Sequence, residues 1–246
     1  MSQRKILIVG GVAGGATAAA RARRTDEHAE IILFERGPYI SFANCGLPYY
    51  VGREIGDRSA LLLQTPESFR ARFDVDVRVR HEVIAIDRAA RRVTVRNLET
   101  GETYAESYTA LILAPGSVPI RPPLPGIDLP NVFMVRTVPD AVAIRELVER
   151  ESPARAVVVG AGFIGLEMVE NLAGLGLAVT LVEKADQVLP PLDPEMAAFV
   201  QSHLEQMGVE VITGDGIAAF AGSDRATAVR LESGREVEGD LFILGL

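Results

Sequence analysis

Apolar positions along the chain fall into short unbroken runs that stop at glycine, and one such arrangement occurs twice. Residues 4–35 read RKILIVG, then GVAGGATAAARARR, then EIILFE; residues 155–183 read RAVVVG, then AGFIGLEMVENLAGLG, then LAVTLVE. Runs without polar alternation suit strands covered on both faces, as in a parallel sheet. The alanine-rich and leucine-rich stretches between them suit crossover helices. Each copy is expected to be a strand, a glycine turn, a helix and a second strand ending in glutamate.

The pattern changes between and after the copies. Residues 75–116 alternate as VDVRVRHEVIAID, RRVTVRNL and YTALILAPG, with a turn at Glu99-Thr100-Gly101-Glu102. That predicts an antiparallel hairpin appended to the first copy. Prolines at 119, 122, 123, 125 and 130 mark an interdomain linker. A helix should follow with Thr137 as N-cap, Pro139 in its first turn and Asp140 closing a capping box. Asp193-Pro194 signals another helix in the same way, and residues 209–246 carry short strands, the last being DLFILGL. The expected fold class is α/β: two Rossmann-like three-layer nucleotide-binding domains with parallel central sheets and an antiparallel β-meander. The expected boundaries are 1–118 and 119–246.

The totals narrow the function classes. A chain of 246 residues that is 48 % hydrophobic can bury two moderate cores. No apolar run reaches the ~18 residues of a transmembrane helix, and the apolar stretch after Arg4 and Lys5 is too short for a signal-peptide core. A soluble, cytoplasmic protein without a membrane partner is expected. The net charge of −8 lacks the basic footprint of a nucleic-acid binder. The single cysteine excludes an intrachain disulfide, and with His28, His81 and His203 far apart no metal site is expected.

The glycine turns carry the first chemistry. Gly160, Gly162 and Gly165 form G-x-G-x-x-G, and Glu183 follows 18 residues after Gly165. In such a turn the first glycine permits the tight bend, the second lets pyrophosphate approach the backbone, and the third lets helix and strand pack closely. Helix N–H groups then face the phosphates, and the acid meets a ribose hydroxyl. In the first copy Gly10 and Gly15 hold the outer positions, Val12 replaces the middle glycine, Gly14 adds a small residue, and Glu35 lies 20 residues after Gly15. Two turns imply two nucleotides, read most economically as one flavin and one nicotinamide. Glu183 favours NADH, with NADPH as the alternative because Lys184 follows it.

The second chemistry is Cys45, in Ser41-Phe42-Ala43-Asn44-Cys45-Gly46-Leu47-Pro48-Tyr49-Tyr50. A lone cysteine is by default a small buried hydrophobe. Polar Ser41 and Asn44, Gly46 and the aromatics suggest a shaped pocket instead, and a helix N-terminus there would lower the thiol pKa and favour thiolate. Arg21, Arg23 and Arg24 make a basic cluster in an acidic protein, either a phosphate site or a solvated helix end.

Together SFANCGLPYY, GGVAGGATAAARARR and GAGFIGLEMVENL resemble the single-cysteine branch of the pyridine nucleotide-disulfide oxidoreductases, nearest the coenzyme A-disulfide and coenzyme A-persulfide reductases. Double-cysteine members place C-x-x-x-x-C here, but residue 50 is Tyr50. The resemblance implies a nicotinamide hydride passing to FAD, and electrons then passing to Cys45, which alternates between thiolate and a mixed disulfide with coenzyme A or a similar small thiol. It places Thr17, Arg21, Arg24, Ser41, Asn44 and Phe69 at the thiol substrate. It gives Ala13, Arg36, Val83, Ala114 and Gly116 to the flavin side, and Phe163, Ile164, Glu167 and Lys184 to the nicotinamide side. Glu167 could equally be a helix-surface residue, and 114–116 an ordinary strand-ending turn. NADH oxidases and peroxidases of the branch are the enzyme alternative; they carry a histidine where this chain has Ala13, and peroxide chemistry needs a polar partner for a sulfenate. The other alternative is a nucleotide-binding fragment without turnover. The resemblance further implies a returning segment and a dimerisation domain beyond Gly245, so FAD is expected to be held weakly by this chain and the longer protein is expected to be a homodimer.

Overall fold

The computed structural model describes residues 4–246. It divides into two compact units. The first runs to Ala43 and resumes over Ser59–Ser117; the second comprises Asn44–Arg58 and Val118–Leu246. The linear reading put residues 44–58 in the first domain, whereas this excursion groups with the second unit.

In the first unit β1 (Lys5–Val9), helix α1 (Gly14–Thr25) and β2 (Glu30–Glu35) form the predicted repeat. The excursion then carries a short 3-10 turn, Asn44–Gly46, and helix α2 (Leu47–Val51). Back in the first unit come α3 (Pro66–Phe73), β3 (Asp76–Val79), β4 (His81–Asp87), β5 (Arg92–Asn97), β6 (Thr103–Ser107) and β7 (Ala110–Leu113). Strands β3-β2-β1-β7 make a parallel sheet, and β4-β5-β6 an antiparallel one. The single hairpin expected over 75–116 is thus five strands in two sheets. The alternating pattern holds for the meander, but β3 and β7 join the parallel sheet at its two edges.

Strand pleating explains the unbroken apolar runs. Successive side chains point to opposite faces. Ile8, Ile31 and Leu33 pack with Ala16, Ala19 and Phe69 of the helices, while Leu7, Ile32 and Phe34 pack against Val93 and Val95 of the meander. Both faces are dry, so neither phase of the strand tolerates a polar residue. Lys5 ties the two sheets by ion pairs to Glu30 and Glu106, each 2.8 Å, and Arg78 adds a second contact to Glu106. Burial alone would raise the Glu106 carboxyl, but hydrogen bonds from Lys5 and Arg78 outweigh it and hold the group below its usual range.

The second unit repeats the scheme. It contains β8 (Val132–Met134), α4 (Val138–Glu151), β9 (Arg155–Val159), α5 (Phe163–Gly174), β10 (Ala178–Val182), α6 (Pro194–Gln206) and β11 (Glu210–Ile212). Then follow β12 (Ile217–Ala221), β13 (Ala228–Leu231), β14 (Glu236–Glu238) and β15 (Leu241–Leu244). The parallel order is β11-β10-β9-β15-β8, and β12-β13-β14 is antiparallel. Val157, Val159, Phe242 and Leu244 meet Val229 and Leu231 of that second meander. Helix α4 starts at the predicted Thr137–Asp140 capping box, whereas Asp193 precedes Pro194 of α6 without a side-chain cap bond.

Asn131 is the polar pin of this unit. It is 1 % exposed; its amide donates to the carbonyls of Ala226 and Asp240 at 2.8 and 2.9 Å, and its Oδ1 accepts from the Ala226 N–H at 2.9 Å. Replacing Asn131 with Ala strands the Ala226 N–H and the Ala226 carbonyl, while the Asp240 carbonyl keeps the Arg225 guanidinium at 2.9 Å. The expected cost is about 3 kcal/mol, from buried groups left without partners. At roughly 2–4 °C per kcal/mol the second unit should melt some 6–12 °C lower. An unchanged melting temperature would remove Asn131 from this role.

Candidate functional site: two nucleotide turns and a cysteine

In each unit the strand order reverses beside the first strand of the repeat, between β1 and β7 and between β9 and β15. Ligands of open α/β sheets bind outside the carboxyl ends of the strands at that reversal. There the chain has Gly10 at φ +94° and Gly160 at φ +99°, conformations that a side chain rarely adopts. A Cβ on Gly10 would lie 2.0 Å from the Ala114 oxygen, and one on Gly160 2.9 Å from the Gly245 oxygen. A Cβ on Gly15 would lie 1.7 Å from the Gly10 oxygen, and one on Gly165 1.8 Å from the Gly160 oxygen. The outer glycines are therefore required by backbone contact in both copies.

The acids do more than the motif suggests. Glu35 accepts the Gly11 N–H and the Gly37 N–H, each at 2.7 Å. Glu183 accepts the Ala161 N–H at 2.6 Å and the Ala185 N–H at 2.7 Å. Each carboxylate thus fixes the glycine turn and the loop after its own strand at once. A second parallel follows: the Ser41 N–H donates to the Gly11 oxygen and the Leu189 N–H to the Ala161 oxygen, with both donors at φ +44°. Nothing in the identities of Ser41 and Leu189 signals this shared geometry.

The two turns differ at the centre. A Cβ on Gly162 would meet nothing within 4 Å, so that backbone is open to an approaching phosphate. Val12 is half-buried, and Ala13 and Gly14 are exposed at the start of α1. Phe163 and Ile164 open α5 and are 67 % and 42 % exposed, although both are apolar. Arg36 is exposed, Val83 packs beside the Val93–Val95 cluster, Ala114 is half-buried beside Gly10, and Gly116 takes φ +70°. In the second unit a cavity of about 290 Å³ opens beside Gly160, lined by Pro122, Leu124, Glu183, Lys184, Asp215 and Glu232 among others. Asp215 and Glu232 lie 32 and 49 residues after Glu183, outside the glycine-turn motif, and carried no sequence signal.

Thr17, Arg21 and Arg24 lie along one exposed stripe of α1. Arg23 does not join them. Its guanidinium donates to the Phe73, Glu27 and Asp74 carbonyls at 2.9, 2.6 and 2.7 Å, so it ties the end of α1 to the end of α3. The basic cluster is two arginines, not three. Phe69 is 2 % exposed, packs in the core and has its ring 4.8 Å from that of Phe73. Its ring is enclosed by that core.

Cys45 is exposed on the 3-10 turn ahead of α2. Beside it Asn44 has a buried Oδ1 without a hydrogen-bond partner. Helix α2 packs on α4 and α5. Arg145 of α4 lies 4.5 Å over the Tyr50 ring and donates to the Tyr50 and Ile55 carbonyls at 3.1 and 3.0 Å. A Cβ on Gly52 would lie 2.0 Å from the Asn171 Oδ1, which fixes the close seat on α5. Burial first, then the neighbouring Glu170, pushes the Glu167 carboxyl up, and the Glu167 charge in turn pushes the Tyr49 hydroxyl up. Arg145 was not anticipated; it belongs to no spaced motif. No cluster that could hold a metal occurs among the described residues. Nor is any helix there long and apolar enough to cross a membrane.

Residues 4–246 match the family model of the pyridine nucleotide-disulphide oxidoreductases. The chain is 37 % identical over 243 residues to the coenzyme A disulfide reductase of Staphylococcus haemolyticus, covering 99 % of this chain and 54 % of that protein. Its fold is similar to that of reduced Bacillus anthracis CoADR-RHD, at TM-score 0.97 and 49 % identity, covering 100 % of this chain and 44 % of the other. It is similar also to an NAD-dependent persulfide reductase from A. fulgidus, at TM-score 0.93 and 35 % identity, with 98 % and 44 % covered. A water-forming NADH oxidase from Lactobacillus brevis gives TM-score 0.92 and 30 % identity, with 98 % and 53 % covered. The chain spans about half the length of these relatives.

Two predictions follow from the carboxylates. Glu183→Gln leaves one acceptor oxygen for two N–H groups and turns an amide N–H against the other. The loss of one charge-assisted bond, about 2 kcal/mol, should lower the melting temperature of the second unit by roughly 4–8 °C; no shift would mean that the clamp is decorative. Glu167 gives a pH signature. Its carboxyl is raised in the fold, so the folded state binds the proton more tightly than the unfolded chain, whose reference value is 4.5. The resulting penalty is absent below that value and grows as pH rises through the raised one. Glu167→Gln should therefore be slightly more stable than the parent at about pH 7, by less than ~1 kcal/mol, and equal to it at about pH 4. Paired denaturation curves at the two pH values test this, and a gap that widens toward acid would reverse the sign.

Proposed function

The chain belongs to the pyridine nucleotide-disulphide oxidoreductases, and from that premise we propose that it carries the nucleotide-binding units and the redox thiol of a reductase for coenzyme A disulfide, coenzyme A persulfide or a related small disulfide. The observation that carries this reading is the exposed Cys45, the chain's single cysteine, on a turn next to an unpartnered buried Asn44 oxygen. An unsatisfied acceptor beside a thiol is a place for a donor from the substrate. FAD is assigned to the Gly10–Gly15 turn and NADH to the Gly160–Gly165 turn. The residues present fit both: the outer glycines bring backbone close, the helices α1 and α5 present N-terminal N–H groups, and Gly162 leaves the second cradle open. When bound, the flavin supplies a two-electron relay between nicotinamide and thiol.

The protein's own steps are then these. The Gly160 turn and Glu183 hold the dinucleotide, with the carboxylate free to accept a ribose hydroxyl through lone pairs its amide contacts leave over. Phe163, exposed at the start of α5, and Glu167 of the same helix would meet the nicotinamide end of the dinucleotide. The Cys45 thiolate attacks one sulfur of the disulfide; a Cys45–coenzyme A disulfide forms and one coenzyme A thiolate leaves. Two electrons break that bond and return Cys45 as thiolate with the second coenzyme A. Arg21 and Arg24 offer planar donors to the phosphates of the substrate. Ala13 brings no acid or hydrogen-bonding side chain to a peroxide, which places the oxidase reading second.

In the full-length protein with FAD and NADH supplied, release of thiol from coenzyme A disulfide should fall by roughly a hundredfold or more in Cys45→Ser, the loss expected when a nucleophile is removed. A serine variant that releases thiol at the parent rate would end the proposal. In Arg21→Ala/Arg24→Ala the Michaelis constant should rise for coenzyme A disulfide far more than for cystine; equal changes would return both arginines to a solvated helix face.

A further inference from the structure

The cavity beside Gly160 is lined by three carboxylates, Glu183, Asp215 and Glu232, and by one cation, Lys184. The acids are fixed in different ways. Glu183 is held by the Ala161 and Ala185 N–H groups. Asp215 accepts the Ser233 N–H at 3.1 Å and the Ser233 hydroxyl at 2.5 Å. Glu232 is placed by its own N–H, which donates to the Gly216 oxygen at 2.7 Å. A Cβ on Gly216 would come within 2.9 Å of the Glu232 carboxyl, so the glycine makes room for that side chain. Lys184 Nζ then lies 2.8 Å from Glu232 Oε1.

We propose that Glu232 is a specificity residue of the second nucleotide site: by neutralising Lys184 and leaving the cavity acidic, it selects against a dinucleotide carrying a 2′-phosphate. This rests on the reading that the Gly160 turn binds a nicotinamide dinucleotide. Glu183 alone gives an incomplete account of the selection, because the adjoining lysine is a ready phosphate partner. A 2′-phosphate beside Glu183 would bring about two further negative charges into the group of acids. Lys184 would meet them with a charge already shared with Glu232 at 2.8 Å, so the pair as a whole brings no net positive charge to the phosphate. The ammonium is raised above its usual range by the hydrogen bond and charge of Glu232, which keeps the lysine charged and engaged. Both side chains are largely exposed, at 74 % for Lys184 and 50 % for Glu232, so the pair is a bias and not a lock.

Titration of NADH and NADPH separately into the purified protein, Glu232→Gln and Glu232→Gln/Lys184→Ala tests the inference. The parent should prefer NADH. In Glu232→Gln the dissociation constant for NADPH should fall about threefold to fivefold, the factor that one exposed ion pair supports, while that for NADH moves much less. Removing Lys184 as well should abolish the gain. An unchanged NADPH-to-NADH ratio in Glu232→Gln, or a gain that survives in the double variant, overturns the role of Glu232 while leaving the dinucleotide site intact. Failure of all three proteins to bind either dinucleotide would instead sink the site and this inference together.

Discussion

The arrangement on which the rest depends is a carboxylate at the end of a buried strand that accepts two backbone N–H groups, one from the glycine turn and one from its own loop. It occurs as Glu35 and again as Glu183. A glycine turn of this kind has few internal restraints, since its residues were chosen for small size and positive φ. Left alone it would lose the entropy advantage of a preformed ligand cradle. The carboxylate supplies the restraint from outside the turn, with bonds of the charge-assisted class. The same oxygens keep lone pairs over for a further donor, so one residue can shape the turn and still offer an acceptor.

That shared device makes the differences between the units informative. The outer glycines, the clamped amides and the left-handed donors Ser41 and Leu189 correspond one for one. The middle position does not: Val12 stands where Gly162 stands. Meanwhile the partner of the first glycine is Ala114 in one unit and Gly245 in the other, both contributed by the strand across the reversal. The scaffold is therefore duplicated while the surface offered to ligand is not, as two nucleotides of different shape require. Function in such a fold resides in the site and not in the architecture.

Local chemistry made much of this legible in the sequence. The glycine spacing, the strand-ending glutamates and the Thr137–Asp140 box are set by contacts within a few residues or one supersecondary unit, and the structure has them where the pattern put them. Pairing direction is different. Residues 75–116 alternate convincingly, yet β3 and β7 pair in parallel with strands distant in sequence while β4, β5 and β6 pair with each other. Period-2 alternation describes burial and is silent on the neighbour. The same limit hid Arg23, whose charge looked available for phosphate but whose donors are consumed by carbonyls at the ends of two helices. Phe69, which the resemblance placed at the substrate, packs in the core of the first unit.

The placement of the cysteine carries this one step further. Helix α2 has five residues, far too few to persist in water by itself, because helix nucleation is unfavourable and little propagation follows. Its conformation must come from what it rests on. Those supports are α4 and α5: the Arg145 guanidinium stacked on Tyr50 and bonded to two carbonyls, and Gly52 seated against Asn171. The 3-10 turn that presents Cys45 runs directly into α2, so the orientation of the thiol is set by packing within the second unit, although the segments that flank residues 44–58 in sequence belong to the first. Arginine suits that task better than lysine, since a planar guanidinium can stack and donate at once. A residue with no motif and one hundred positions away thus bears on the geometry of the cysteine, because a short helix borrows its order from its neighbours.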